Sequence, residues 1–165
     1  MYNQHFLLLF IFYGIAADCP QEWYHYEDQC YLINKHVRLS WVDAYSFCSK
    51  LMNGTLAIVD SQDLVEFLVN KINPSHQRPP NGVCQTEDDY WIDGTHKVVD
   101  GHSVWVSSLQ PLRGNFWCPN NPSNSGGHED CLEFKDGLWN DDDCTKKQQF
   151  ICEIEYPGEG ENIIG

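Results

Sequence analysis

Eight cysteines in a chain of 165 residues constrain its fold more than any other feature. They lie at positions 19, 30, 48, 84, 118, 131, 144 and 152. In an exported chain, an even number of cysteines predicts a framework of disulfide bonds, although the count alone leaves the connectivity open. Zinc binding is the competing use of cysteine, but it usually requires C-x2-C spacing, which this sequence lacks.

The N-terminal segment indicates export. Residues 6–17 form an apolar run that ends in small side chains, which is typical of a signal peptide cleaved after Ala16 or Ala17. The run is shorter than the roughly 20 apolar residues that span a bilayer. We therefore expect a signal peptide over 1–17, a secreted, extracellular product and no membrane insertion. A buried N-terminal strand is the alternative, and the segment before the run has no Lys or Arg.

The charge balance excludes one class of partner. The formal net charge is −14, whereas nucleic-acid binding needs a basic surface. Solubility accounts for most of these acidic residues. An acidic surplus also suits hard cations such as calcium, which bind oxygen ligands.

Two segments show the spacing of amphipathic helices. The first is predicted from about 41 to 51, with Ser40 as its N-cap, Asp43 in its first turn and Cys48 facing inward. The second begins at Ser61 and is stopped by Asn73-Pro74. The apolar face of this second helix comprises Leu64, Phe67, Leu68 and Ile72.

The sequence pattern in the second half of the chain predicts short strands around a long loop. Short strands are expected at "YWIDG", "HSVWVS", "CLEF", "GLWND" and "QFICEIE", and residues 107–130 have little periodicity. A long segment without periodicity inside a compact domain is usually functional. Helices followed by strands predict an α+β domain, here over 18–155, with a flexible acidic tail at 156–165.

Several motifs resemble one family. Cys48 on the first helix, "YWIDG", "EDC", "WND" and the closing "FICE" occur in the order found in C-type lectin-like domains, over about 19–154. The resemblance implies two helices, small antiparallel sheets and a long irregular loop, stapled by disulfides. It pairs Cys19 with Cys30, Cys48 with Cys152 and Cys131 with Cys144. Cys84 and Cys118 remain, and we expect them to pair with each other; an intermolecular bond is the alternative.

The same resemblance implies a calcium site that also contacts sugar. The family's loop tripeptide falls on Asn121, Pro122 and Ser123, with Pro122 as a cis-proline, and the implied ligands all carry oxygen: Asn121, Ser123, Glu129, Asn140 and Asp141. The tripeptide lacks the carboxylate found in calcium-binding members, so two carboxylates remain and we expect weak calcium binding. If the Asn121 carbonyl binds the metal, its NH2 group is left as a donor, which resembles the galactose-type order.

Other residues have simpler explanations. A second calcium site is expected to be degenerate, because His96 and Asn124 replace acids in its set of His96, Asp100, Asn124, Glu129 and Asp130. Asn53 begins a glycosylation sequon. We expect Asp142, Asp143 and His128 at the surface and Trp139 in the core.

Two functions compete. The first is a secreted lectin that uses calcium to bind glycans on microbial or cell surfaces, as in innate immunity. The protein could act as an oligomer in this function or in the alternative. The alternative is a module without sugar affinity that recognises protein or mineral surfaces. The chain lacks the HExxH, GxSxG and P-loop motifs of enzymes, so no enzymatic activity is expected.

Overall fold

The computed structural model describes residues 18–74, 84, 88–99 and 102–156. Several predicted features lie outside the described residues: the signal peptide at 1–17, the Asp100 position and the tail beyond residue 156.

Both predicted helices are present, and a serine caps each. Helix α1 spans Trp41–Lys50, and the Ser40 hydroxyl accepts a hydrogen bond from the backbone N–H of Asp43. Helix α2 spans Gln62–Ile72, and Ser61 caps it in the same way. These caps satisfy N–H groups that have no partner within the helix, so the sequence places both starts correctly.

In the part of the chain that the structure describes, eight strands form one sheet. They are β1 Tyr24–Tyr26, β2 Gln29–Leu39, β3 Thr55–Leu56, β4 Asp89–Val99, β5 His102–Trp105, β6 Cys131–Lys135, β7 Leu138–Asp142 and β8 Gln148–Glu155. The order across the sheet is β1-β2-β8-β4-β6-β7, with β3 beside β8 and β5 beside β4. The predicted α+β class is confirmed.

The sheet differs from the expectation in one respect. The small antiparallel sheets are joined into one, because β4 and β8 pair in parallel through Tyr90 with Gln149 and Trp91 with Phe150. All the other strand pairs are antiparallel among the described residues. The β6–β7 hairpin is tight, since Asp136 and Gly137 both have positive φ (52° and 79°). A two-residue Asp-Gly turn with both φ values positive matches the natural twist of a hairpin.

All four expected disulfides are present: Cys19–Cys30, Cys48–Cys152, Cys84–Cys118 and Cys131–Cys144. No cysteine is free. The Cys48–Cys152 bond joins α1 to β8 inside the core, where both residues are fully buried. Closing a loop of 104 residues restricts the unfolded chain and stabilises the fold by roughly 4–5 kcal/mol in the chain-entropy model.

Tryptophan side chains pack together in and against the core. Trp139 is fully buried and donates its Nε1–H to the carbonyl of Val59 at 2.9 Å. Trp105 and Trp117 each meet its ring edge-on, at centroid distances of 5.5 and 5.7 Å. The prediction that Trp139 is a packing residue is therefore confirmed. Among the described residues, neither helix has the length and apolar character that crossing a bilayer requires.

Candidate functional site

The loop from 121 to 129 lies against the end of β7. Strand β7 ends with Asn140, Asp141 and Asp142, and the loop returns to β6 at Cys131. The Cys131–Cys144 disulfide joins the start of β6 to the chain just beyond β7, with a Cα–Cα distance of 5.1 Å. The five predicted ligands are therefore held on two neighbouring segments that one covalent bond keeps together.

Asp141 holds the first part of the loop. Its side chain is 1% exposed, and its Oδ1 accepts from the backbone N–H of Ser123 at 2.9 Å. Its Oδ2 accepts from the backbone N–H of Asn124 at 2.5 Å. A carboxylate that accepts bonds from successive N–H groups fixes the direction of the chain, so the loop conformation is specified from β7.

Glu129 closes the other end of the loop. Its Oε2 accepts from the Ser123 hydroxyl at 2.8 Å and from the backbone N–H of Ser125 at 2.6 Å. Its own N–H donates to Asn124 Oδ1 at 3.2 Å. Glu129 and Asp141 therefore both contact Ser123, one at its hydroxyl and one at its backbone, and the two carboxylates flank the same residue.

Asn121 completes the group. Its peptide bond to Pro122 is cis, as the resemblance implies. Its Nδ2 donates to the side-chain Oδ1 of Asn140. The structure thus brings together all five predicted site residues through direct side-chain or backbone hydrogen bonds.

A glycine pair forms the turn between Ser125 and Glu129. Gly126 and Gly127 have φ values of 69° and 75°, which L side chains adopt only with strain. The ring of His128 folds back over Gly126, where its Nδ1 lies 2.9 Å from the Gly126 carbonyl oxygen. A Cβ atom on Gly126 would lie 2.4 Å from His128 Cε1. His128 is exposed, as expected, and lies directly beside Glu129.

The donor set fits a hard cation. Each ionised carboxylate has about four lone-pair positions, and the hydrogen bonds described above use two on Asp141 and two on Glu129. Within the described residues, no group of three or more His, Cys, Asp or Glu side chains is placed to hold a metal. An ion here must therefore take amide and hydroxyl oxygens in addition to the two carboxylates. For Asn121 to be a ligand, its amide must turn so that oxygen replaces nitrogen, which leaves the backbone unchanged.

Two residues of the second predicted site, His96 and Asp130, make contacts with neighbouring protein groups. His96 Nδ1 lies 2.7 Å from the Ser103 hydroxyl, and the ring stacks on Trp117 at 6.0 Å. The carbonyl of Asp130 accepts from the backbone N–H of His96 and from Thr95 Oγ1. The degenerate character of this site stays a prediction.

One expectation about the surface is wrong. Asp142 is buried, with 6% exposure, where solvation was predicted. Lys146 Nζ lies 2.5 Å from its Oδ1, and Gln148 Nε2 donates to its Oδ2 at 2.8 Å. These partners offset the cost of burying the charge. Asp143 is half-buried and accepts from the backbone N–H and the hydroxyl of Thr145.

Glu133 is a buried carboxylate beside the site that was not predicted from the sequence. It lies on β6 opposite Asn140 and is 1% exposed, and its Oε1 accepts from Asn140 Nδ2 at 2.7 Å. Burial raises the pKa of Glu133 to about 7, and the negative charge of Asp89 adds to this effect. The only signal in the sequence is a charged residue in the apolar run "CLEF".

Comparison with known proteins gives a consistent result. The Lectin C-type domain family model matches residues 37–154. A lectin of Pleurodeles waltl is 31% identical over 146 residues, which cover 86% of this chain and 79% of that protein. The asialoglycoprotein receptor 1 of Mus musculus is 33% identical over 144 residues, or 83% of this chain and 45% of the receptor. The chain thus spans less than half the length of that receptor.

A solved structure agrees with the fold. The mouse scavenger receptor C-type lectin carbohydrate-recognition domain superposes with a TM-score of 0.68 and 25% identity, covering 83% of this chain and 98% of the domain. The family and the relatives named here are lectins and receptors. They confirm, for the domain over residues 37–154, the prediction that it is not an enzyme.

Proposed function

Since this chain belongs to the Lectin C-type domain family, we propose that it is a secreted, calcium-dependent carbohydrate-binding protein. One observation supports this proposal above the others: the 121–129 loop and the end of β7 bring five oxygen-bearing residues into one hydrogen-bonded group. The four disulfides support an extracellular location, because such frameworks persist in oxidising compartments.

We assign the ion to the side chains of Asn121, Ser123, Glu129, Asn140 and Asp141. Calcium takes six to eight oxygen ligands, so five side chains leave positions for hydroxyl groups of a sugar. A bound ion would supply a positive charge that attracts those hydroxyl oxygens. The protein's own task is to keep the two carboxylates and the two amides in place, which the disulfide and the loop hydrogen bonds do.

The amides and the hydroxyl set the preference among sugars. In the structure, the Asn121 nitrogen donates to Asn140 and the Ser123 hydroxyl donates to Glu129. If Asn121 turns its oxygen toward an ion, its NH2 group becomes available to a sugar hydroxyl. A donor at this position favours galactose-type ligands, and the absence of a carboxylate at position 123 makes the preference weak.

The physiological ligands in this proposal are glycans on cell or microbial surfaces. Asn53 is an exposed residue just after α1, and we propose that it is glycosylated through its sequon. The net charge of −14 supports the absence of a nucleic-acid ligand.

A second function is favoured by the hydrogen bonds that hold the loop in place. Asp141 and Glu129 hold the loop through backbone N–H groups, and only two carboxylates are present for an ion. A loop that is ordered in this way could present a fixed surface without calcium. The alternative is therefore a module that recognises protein or mineral surfaces without sugar affinity.

A glycan array separates the two functions. The protein, expressed in a secretory host, is applied to the array in calcium, in EDTA and after calcium is restored, with Glu129→Gln as the matched variant. Binding that is lost in EDTA, regained with calcium and absent in Glu129→Gln supports the lectin. Glycan binding that persists in EDTA contradicts the calcium requirement. Absence of glycan binding in every condition favours the alternative.

A further inference from the structure

We propose that Glu133 is a positioning residue for the candidate site, which fixes the Asn140 amide with its nitrogen toward the strand and its oxygen toward the loop. The inference rests on the proposed function, since it concerns the Asn140 side chain assigned to calcium. It adds a buried residue that lies outside the set of five.

The register of the hairpin places the two side chains together. Glu133 on β6 pairs directly with Asn140 on β7, and the two-residue turn at Asp136 and Gly137 fixes that register. Directly opposed side chains on one face of an antiparallel pair lie within contact distance. Glu133 Oε1 accepts from Asn140 Nδ2 at 2.7 Å, so the contact is a direct hydrogen bond.

The Asn140 amide has donors at one end and an acceptor at the other, and its neighbours distinguish the two ends. Its Nδ2 donates to Glu133 Oε1 and also to the backbone carbonyl of Asp141 at 3.0 Å. Both N–H groups are then used. The oxygen points the opposite way, where it accepts from Asn121. A reversed amide would place its oxygen against the oxygens of Glu133 and Asp141.

Glu133 is itself held firmly. Strand β6 lies between β4 and β7, and Glu133 pairs with Trp91 on one side and Asn140 on the other. Trp91 is fully buried and Glu133 is 1% exposed. A side chain on a strand paired on both sides has little freedom to withdraw. Mutation of a residue that orients a metal ligand typically lowers metal affinity by roughly 10–100-fold.

Two substitutions test whether the position of the Glu133 acceptor oxygen or the charge of its carboxylate determines calcium affinity. Glu133→Gln loses the charge but keeps a carbonyl oxygen at the same length, and Glu133→Asp keeps the charge but is one methylene shorter. A positioning role predicts that Glu133→Gln retains calcium affinity and that Glu133→Asp loses roughly tenfold or more. A purely electrostatic role predicts the reverse order. Glu133→Met, which removes the acceptor, serves if Glu133→Asp does not fold.

The second readout does not depend on calcium. The side-chain NH2 resonances of Asn140, recorded by NMR in the calcium-free protein, should match wild type in Glu133→Gln and shift in Glu133→Asp or Glu133→Met. Asp93→Leu is the control, since it removes another fully buried carboxylate outside the predicted ligand set. It should leave both the Asn140 resonances and the calcium affinity as in wild type.

The outcomes distinguish this inference from the proposed function. If wild type binds no calcium, the proposed function fails, and the Asn140 resonances alone decide whether Glu133 orients the amide. If wild type binds calcium and the acceptor-deficient variants bind it equally well with unshifted Asn140 resonances, the inference about Glu133 is overturned while the proposed function stands.

Discussion

The carboxylate of Asp141 accepts a hydrogen bond from the backbone N–H group of Ser123 at 2.9 Å, across 18 positions of sequence. This bond ties the long loop to the last residues of a core strand. A mobile loop would have to be ordered whenever a ligand binds, and that ordering would lower the affinity. The Asp141–Ser123 contact removes part of this cost before any ligand arrives.

Loss of the Cys131–Cys144 bond should lower calcium affinity, whereas loss of a disulfide of similar loop length elsewhere should not. Replacing both cysteines with Ser releases the chain next to Glu129 and Asp141, so we expect a clear loss of calcium affinity in calorimetry. The control replaces Cys19 and Cys30 with Ser, because the sequence separations are similar, at 13 and 11. Each pair should cost roughly 3 kcal/mol in the free energy of unfolding. An equal loss of calcium affinity in both variants would show that the effect is not local.

The two glycines of the loop turn should respond differently to alanine. Both have positive φ, so each substitution introduces backbone strain of about 1–2 kcal/mol. Only at Gly126 does the added Cβ meet the His128 ring; at Gly127 it meets nothing within 4 Å. We expect the His128 ring resonances in NMR to shift in Gly126→Ala and to stay close to wild type in Gly127→Ala. The reverse pattern would contradict the described position of the ring.

Asp93 should make stability depend on pH. Its carboxyl is fully buried, and burial raises its pKa to about 6, while hydrogen bonds from Ser107 oppose the rise. Burial raises the pKa of Tyr45 and of Glu153, and the negative charge of Asp93 adds to both shifts. Because the pKa is higher in the folded state, the stabilising contribution is complete below the unfolded value of about 4 and is lost as the pH rises through about 6.

Asp93→Asn isolates this contribution. Asparagine keeps an acceptor for Ser107 but does not titrate. The unfolding free energy of wild type relative to Asp93→Asn should fall by about 2–3 kcal/mol between pH 4 and pH 7. Urea denaturation of both proteins across this range measures the difference. A constant difference would mean that Asp93 does not titrate with a raised pKa.

Ser123→Asp should strengthen calcium binding. It adds a third carboxylate at a position that already contacts Glu129 and Asp141, and the affinity of calcium sites follows the charge of their ligands. We expect a gain of roughly tenfold or more in calorimetry and tighter binding of galactose-type sugars. Ser125→Asp is the control, since it adds the same charge in the same loop outside the predicted set. A similar gain in both would indicate a general effect of charge.

The sequence predicts the elements that follow simple periodicity. The helices starting after Ser40 and Ser61 are correct because apolar spacing and capping residues are local signals. Three of the disulfides and the cis peptide at Pro122 follow from the resemblance to the family, and the Cys84–Cys118 bond joins the two cysteines that remain. The burial of Asp142 and Glu133 could not be predicted, because a strand covered on both faces loses the alternation that separates core from surface. Only the register of β6 and β7 shows that Glu133 meets Asn140.

Calcium titration of the protein by calorimetry, for wild type and Glu129→Gln, tests the central claim most directly. The exposed Glu155 supplies the control, Glu155→Gln, which removes the same charge away from the loop. We expect one calcium site of roughly millimolar affinity in wild type and Glu155→Gln, and none in Glu129→Gln. The same titration curve in wild type and Glu129→Gln would contradict it.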